Sequence, residues 1–206
     1  MLNGGESQSV LVNWNYSGKP DIFAGTGATC SEKIMIWIAS ASAVSLYLYL
    51  YLLNRLDWPF WKYIVAGVIA FDIGGGVVAN SLNSCKRFFH TPFRYDEKRY
   101  VRILKNKLFF VSFHVHTIIV GLLYQGKLGL QYGVIWYLSM LICSIIVLNV
   151  PLYVRRPIAM MAILWAIIIN SHILQPISGF EWLAPALFIK LVYGHIVREE
   201  PYRPRK

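Results

Sequence analysis

Charged residues are scarce in this chain of 206 residues. They make up 15% of the sequence, against about 25% in soluble domains, whereas apolar residues make up 56%. Such a composition excludes a disordered chain, a collagen and a disulfide scaffold. It also argues against a water-soluble globule and directs attention to the membrane.

Acidic residues are the scarcer of the two charged classes. There are 10 Asp and Glu against 20 Lys and Arg, so the formal net charge is +10. A basic excess can indicate nucleic-acid binding. Here the basic residues lie between apolar runs and form no stripe on a polar face, so we interpret them as membrane topology signals and expect no nucleic-acid partner.

Cysteines are few and several familiar catalytic motifs are missing. Cys30, Cys85 and Cys143 are far apart and form no CxxC pair, so we expect free thiols rather than a zinc ribbon. The absence of H-E-x-x-H, of G-x-S-x-G and of a Walker lysine loop excludes zincin proteases, serine-elbow hydrolases and P-loop enzymes. Five histidines are too few for the eight-histidine membrane oxygenases.

Long apolar runs predict an all-α integral membrane protein with a bundle of about six transmembrane helices. A membrane helix needs about 20 mostly apolar residues. Six windows qualify: 34–53, 63–85, 108–126, 128–154, 157–175 and 180–197. They define a polytopic domain over 33–198, between a polar tail (1–32) and a basic tail (199–206). The first tail contains no apolar run typical of a cleaved signal peptide, and none is expected.

The positive-inside rule gives this bundle an orientation. Three segments that would share one side carry 14 Lys and Arg (86–107, 155–156 and 198–206), whereas the opposite loops carry 3, namely Arg55, Lys62 and Lys127. The 14 are expected to face the cytoplasm. Both termini would then be cytoplasmic, and the expected location is a plasma or inner membrane.

Ionisable residues inside the predicted spans are the candidates for function, because placing such a group in hydrocarbon costs at least about 2.5–3.5 kcal/mol. Five of them lie in spans two, three and six, and His90 lies just below span two. The five are Asp72, His114, His116, Lys190 and His195. At 1.5 Å per residue, all but His195 fall near the membrane midplane. His195, Asn80 and Asn83 form a second layer toward the cytoplasm.

These positions predict one cavity open to the cytoplasmic leaflet. The expected catalytic residues are Asp72, Asn80, His90, His114 and His195. The expected contacts to a phosphate or carboxylate headgroup are Asn83, Lys86, Arg87 and Arg94. Acid, base and amide groups together suit acid–base chemistry.

Three local features have more than one interpretation from the sequence. On a continuous helix, His114 and His116 would point about 160° apart, so only one could face a site, and we favour His114. The glycines Gly74–Gly76 could form a packing face or a cavity wall. Asp72 and Lys190, at similar depth, could form a structural ion pair.

The residue types fit either of two chemistries. A Zn²⁺ or iron site built from His114, His116, Asp72 and His195 is one, and a metal-free acid–base site is the other. We expect a small enzyme that acts on a membrane lipid or other hydrophobic substrate, by hydrolysis or headgroup transfer. A transporter or proton-coupled carrier and a non-catalytic membrane subunit are the alternatives, and a homo-oligomer would offset the small size.

Overall fold

A computed structural model describes residues 10–15, 18, 20–93, 97–124 and 126–204. Nearly all of its regular structure is helical. The helices are α1 (Cys30–Leu52), α2 (Phe60–Ser81), α3 (Asn83–His90), α4 (Arg99–Leu104), α5 (Lys107–Ser112), α6 (His116–Leu123), α7 (Leu130–Asn149), α8 (Leu152–His172) and α9 (Leu183–Leu187). The last of these continues into a π-helix over Phe188–His195.

Four helices are long and apolar enough to cross a membrane, namely α1, α2, α7 and α8. Each has 20 to 23 residues, which corresponds to about 30 Å of helix. The protein is therefore a multi-pass membrane protein. The third and sixth predicted spans correspond to shorter apolar segments, Lys107–Leu123 and Leu183–His195.

Several predicted boundaries are corrected by local backbone chemistry. The span predicted to run to Val154 ends at Asn149, because Pro151 disfavours helical geometry at Val150; Pro151 is then the N-cap of α8. The span predicted to run to Cys85 is interrupted at Leu82, whose extended backbone separates α2 from α3.

Small residues allow α1 and α2 to approach closely as an antiparallel pair. A Cβ at Gly74 would collide with Ala43, and one at Gly75 would collide with the Ser40 hydroxyl. The glycine face of α2 is therefore partly a packing surface. The π-helix lies at the centre of the bundle, and six of its eight residues are buried.

The two tails pair with each other in a short antiparallel sheet. Strand β1 (Val10–Val12) lies against β2 (Tyr202–Pro204), with Val10 opposite Pro204. The backbone N–H of Tyr202 also donates to the Asn83 side chain at the start of α3, at 3.1 Å. Both tails consequently lie on the same side of the bundle, at the end where α2 meets α3.

Candidate intramembrane active site

An ion pair lies midway along α2. The Lys190 ammonium is 2.6 Å from Asp72 Oδ2 and also donates to the Asp72 backbone carbonyl at 3.2 Å. The Lys190 side chain is 3% exposed, whereas that of Asp72 is 49% exposed. His116 Nε2 approaches the same carboxylate oxygen to 3.3 Å. Asp72 thus joins α2, α6 and the π-helix.

Two residues of α2 position Lys190. A Cβ at Gly76 would overlap the outer carbons and the nitrogen of the Lys190 side chain, so a larger residue there would force Lys190 to move from its present position. Asn80, which is buried, donates its side-chain N–H to the Lys190 backbone carbonyl at 3.0 Å. The α2 surface that carries Gly76 and Asn80 is therefore shaped to the π-helix.

A break in the third apolar segment brings both of its histidines to the site. Helix α5 ends at Ser112 and α6 begins at His116, so residues 113–115 form a turn. The two imidazole centroids are 5.5 Å apart. The prediction that only one of them faces a site was made for a continuous helix, and this break removes that condition.

His114 is held in one orientation by the helix that precedes it, α5. Its Nδ1 lies 2.8 Å from the Phe110 carbonyl oxygen, one helical turn earlier. Because a carbonyl oxygen only accepts, Nδ1 carries the hydrogen and Nε2 is the basic nitrogen of the neutral ring. This is the geometry of an oriented general base.

Asp72, Asn80, His114 and Lys190 share the wall of one cavity of about 340 Å³. The rest of the wall is mainly apolar, with contributions from the loop before α1, from α1 and α2, and from Phe89 and Phe110. An apolar pocket with a few convergent polar groups is the usual form of a binding or active site. Three of the five predicted catalytic residues are thus together.

The other two predicted catalytic residues lie outside this cavity. His195 is 1% exposed and packs against two rings, with centroid distances of 4.2 Å to Phe110 and 4.6 Å to Phe89. Neither of its ring nitrogens has a hydrogen-bond partner among the described residues. The two phenylalanines separate it from the cavity, so the prediction that His195 lines the same cavity as Asp72 does not hold for this cavity.

His90 lines a different pocket, of about 630 Å³, together with Arg87, Arg198 and Trp14. Its Nε2 lies 2.9 Å from the His195 carbonyl oxygen. Burial, reinforced by the positive charges of Lys107 and Lys86, lowers the pKa of His90 to about 3. A neutral His90 therefore donates from Nε2 to the last turn of the π-helix.

The predicted headgroup residues are largely engaged by the protein itself. The buried Lys86 ammonium donates to the carbonyls of Gly194 (2.5 Å) and Val197 (2.8 Å) and so caps the π-helix. Arg87 donates to the Thr26 carbonyl at 3.1 Å, and Asn83 accepts from Tyr202. Arg94 lies outside the described residues. Lys86 is therefore a capping residue here, which its charge alone did not reveal.

The described residues contain no group of three or more His, Cys, Asp or Glu side chains arranged to hold a metal ion. Three of the four predicted ligands have other contacts: Lys190 engages the Asp72 carboxylate, Phe110 accepts from His114 Nδ1, and aromatic rings pack against His195. The fourth, His116, lies 3.3 Å from Asp72 Oδ2. The geometry consequently gives no support to the Zn²⁺ or iron hypothesis.

Comparison with known proteins adds no further guide to the site. No family model, curated protein or solved structure matches this chain. The interpretation accordingly depends on the cavity and its polar groups.

Sequence reasoning missed the parts of the cavity wall that carry no ionisable group. Phe110 stands four residues before His114, at the spacing of one helical turn, which is the signal that could have linked them. Ile22 and Phe23 line the cavity from the N-terminal loop and are an apolar pair within a polar tail. Both side chains remain exposed, at 36% and 82%, so that contrast was a signal for their place at the cavity rim and not for burial.

Proposed function

We propose that this protein is a membrane enzyme that acts on a lipid or other hydrophobic substrate, by hydrolysis or headgroup transfer. The observation that carries the proposal is the placement of His114, Asp72 and Lys190 in the wall of a mainly apolar cavity. A hydrophobic substrate matches the apolar wall, and the polar groups match the chemistry of an ester or phosphoester.

His114 is the proposed general base. Its Nε2 takes a proton from a water molecule or an acceptor hydroxyl, whose oxygen then bonds to the acyl carbon or phosphorus of the substrate. The bond from that centre to the leaving oxygen breaks, and the leaving oxygen receives the proton held by His114. The headgroup or acyl group is thereby transferred without a net change in protons.

Lys190 is the proposed electrostatic group. Its ammonium has three N–H donors, and Asp72 accepts two of them through its carboxylate and its backbone carbonyl. The third can stabilise the negative oxygen that develops in the transition state. Asp72 and His116 hold the ammonium in place for this task.

We further propose six membrane crossings, with the two shorter apolar segments completing the four long helices. The 14-to-3 distribution of Lys and Arg supports a cytoplasmic location for both tails. The cavity lies between the middle of α2 and the end that carries the tails, so it would serve the cytoplasmic leaflet of a plasma or inner membrane.

The direct test uses the purified protein in proteoliposomes made from a bacterial polar lipid extract. Mass spectrometry of the lipids is expected to show a product that accumulates with the unaltered protein. His114→Gln should slow its formation by about 10²-fold or more. His172→Gln is the matched control, because His172 is an exposed residue at the end of α8. No lipid change with the unaltered protein would overturn the proposal.

A proton-coupled carrier is the second candidate, and two observations favour it. The α5–α6 segment is broken at His114, and the last segment carries a π-helix around Lys190. Carriers often place ionisable residues at interrupted membrane helices. In this case an imposed solute gradient would drive protons into the lumen of the proteoliposomes, and Asp72→Asn would abolish this proton flux. No lipid product would form.

A further inference from the structure

A shallow apolar groove follows the outer surface of α1 and α2. This α1–α2 groove is lined by Val44, Leu48 and Tyr51 of α1 and by Phe60, Gly67 and Phe71 of α2, among others, and has a volume of about 430 Å³. Several of these side chains are strongly exposed, including Leu48 at 57% and Phe60 at 61%. Both helices are among the four that can cross the membrane, so the groove opens toward lipid.

Two of the three tyrosines that line the groove contribute rings and not hydroxyl groups. Tyr47 donates its hydroxyl to the Gly179 carbonyl at 2.8 Å, and Tyr63 donates to the Leu56 carbonyl at 2.6 Å. Both side chains are buried, so these hydroxyls are directed into the protein. The groove surface is therefore hydrocarbon and aromatic, which suits an alkyl chain and offers little to a polar ligand.

The α1–α2 groove meets the catalytic cavity at Phe71. This side chain lines both of them, and the next residue is Asp72. Along α2 the groove extends over the twelve residues from Phe60 to Phe71, a rise of about 16 Å. That length is close to half the roughly 30 Å hydrocarbon thickness of a bilayer. Because Phe60 begins α2 at the end away from the tails, the groove lies in the opposite half of the membrane, and an alkyl chain that leaves the cavity crosses the midplane to enter it.

We propose that the α1–α2 groove binds the hydrocarbon chain of the lipid substrate while the bond that reacts lies in the cavity beside Asp72 and His114. This inference rests on the proposed function and specifies its substrate class as a lipid with a long alkyl chain. Phe71, whose ring contacts Trp37 edge-on at a centroid distance of 5.6 Å, marks the point where the chain leaves the cavity.

Gly67 provides the variant that tests the groove. The nearest atom to a Cβ at this position is a Val44 methyl carbon at 4.0 Å, so a side chain there enters open space without disturbing the α1–α2 contact. Gly67→Leu would fill part of the groove. Leu164→Trp is the matched control, because Leu164 is 55% exposed on α8 and lines neither the groove nor the cavity.

The probe is a phosphatidic acid with a diazirine at the end of one acyl chain, carried in phosphatidylcholine vesicles that contain the full-length protein. After irradiation, mass spectrometry should locate the label on groove residues of α1 and α2, and excess unlabelled phosphatidic acid should compete it away. Gly67→Leu should reduce this labelling about tenfold, the effect of excluding about two methylenes from an apolar site. Leu164→Trp should leave it unchanged.

Two outcomes overturn the proposal: labelling of the groove no stronger than that of lipid-facing α8, or labelling that Gly67→Leu does not reduce. Labelling requires binding but no turnover, so the groove and the enzymatic function are tested separately. Specific labelling without any lipid product would retain the groove and reject the enzyme. Turnover of lipid with unspecific labelling would retain the enzyme and reject the groove.

Discussion

At the scale of single residues, the central question is what Asp72 does besides neutralising Lys190. Lys190 is buried and Asp72 is half-exposed on the cavity, so the pair is asymmetric. Removing one member of a buried ion pair is costly because the other charge stays in place, whereas apolar replacement of both is often neutral. Stability and activity should therefore respond differently to the same substitutions.

Asp72→Asn should lower the free energy of unfolding by up to about 3–5 kcal/mol and should abolish turnover in the proteoliposome assay. The Asp72→Asn, Lys190→Met double variant should regain the melting temperature, because no uncompensated charge is left, and should stay inactive. Detergent-solubilised melting and lipid turnover are measured on the same preparations. A fully active double variant would leave Asp72 as half of a structural ion pair.

His90 should make stability depend on pH. Its pKa falls from about 6.5 in the unfolded chain to about 3 in the folded protein, so between these values the unfolded state binds more protons. Stability then rises with pH across this window and is lost on acidification. At pH 5.5 the loss is about 1.4 kcal/mol.

The check is the melting temperature between pH 7.5 and pH 5.5, compared between the unaltered protein and His90→Gln. Glutamine keeps a donor for the His195 carbonyl but does not titrate, so the variant should lose less stability on acidification. Equal slopes for the two proteins would show that His90 is not the responsible group.

At the scale of helices, two glycines of α2 lie in different surroundings, so alanine at each should affect stability differently. A methyl group at Gly76 would overlap the buried Lys190 side chain, whereas one at Gly67 would have no atom closer than 4.0 Å. Gly76→Ala should therefore cost about 1–3 kcal/mol by overpacking. Gly67→Ala should retain the melting temperature, and similar losses in both variants would contradict the assignment of Gly76.

Lys86 should behave as a helix cap. Lys86→Met removes the donors to the Gly194 and Val197 carbonyls, which end the π-helix, and should lower the free energy of unfolding by about 1–3 kcal/mol. A headgroup contact would behave in the opposite way. It would weaken lipid turnover and leave the melting temperature unchanged.

The sequence predicted the long helices well and the interruptions poorly, for a physical reason. In α1 and α7 a run of uncharged apolar residues is enough to indicate a membrane helix. The segment around His114 is equally apolar on both sides, so nothing local marks a break at residues 113–115. The π-helix is likewise held by residues of other helices. Asn80 of α2 donates to the Lys190 carbonyl, and Lys86 of α3 donates to the Val197 carbonyl, just after the π-helix ends.

The candidate site could be predicted only in outline. Depth along the spans predicted Asp72 and His114 in one layer and Asn80 in the next, because polar and ionisable groups in apolar spans are rare. It could not show that Phe89 and Phe110 separate His195 from them, since aromatic residues are common throughout this chain. Side-chain packing between distant segments decides such details.

At the scale of the whole molecule, the orientation can be tested with cysteine labelling. In a background without Cys30, Cys85 and Cys143, a cysteine at Lys98 should resist an impermeant maleimide applied to intact cells, and a cysteine at Lys127 should react. Both positions are exposed in the structure. The expectation follows from the excess of basic residues on the side of Lys98. Efficient labelling at Lys98 would reverse the proposed topology.

The pairing of β1 with β2 also has a consequence for biosynthesis. Val10 leaves the ribosome about 190 residues before its partner Pro204, so the tail that carries it must wait while all the intervening helices are inserted. Closing so long a loop has an entropic cost that only the finished bundle can offset. Nascent chains arrested before Tyr202 should therefore expose their N-terminal segment to protease, and release of the complete chain should protect it.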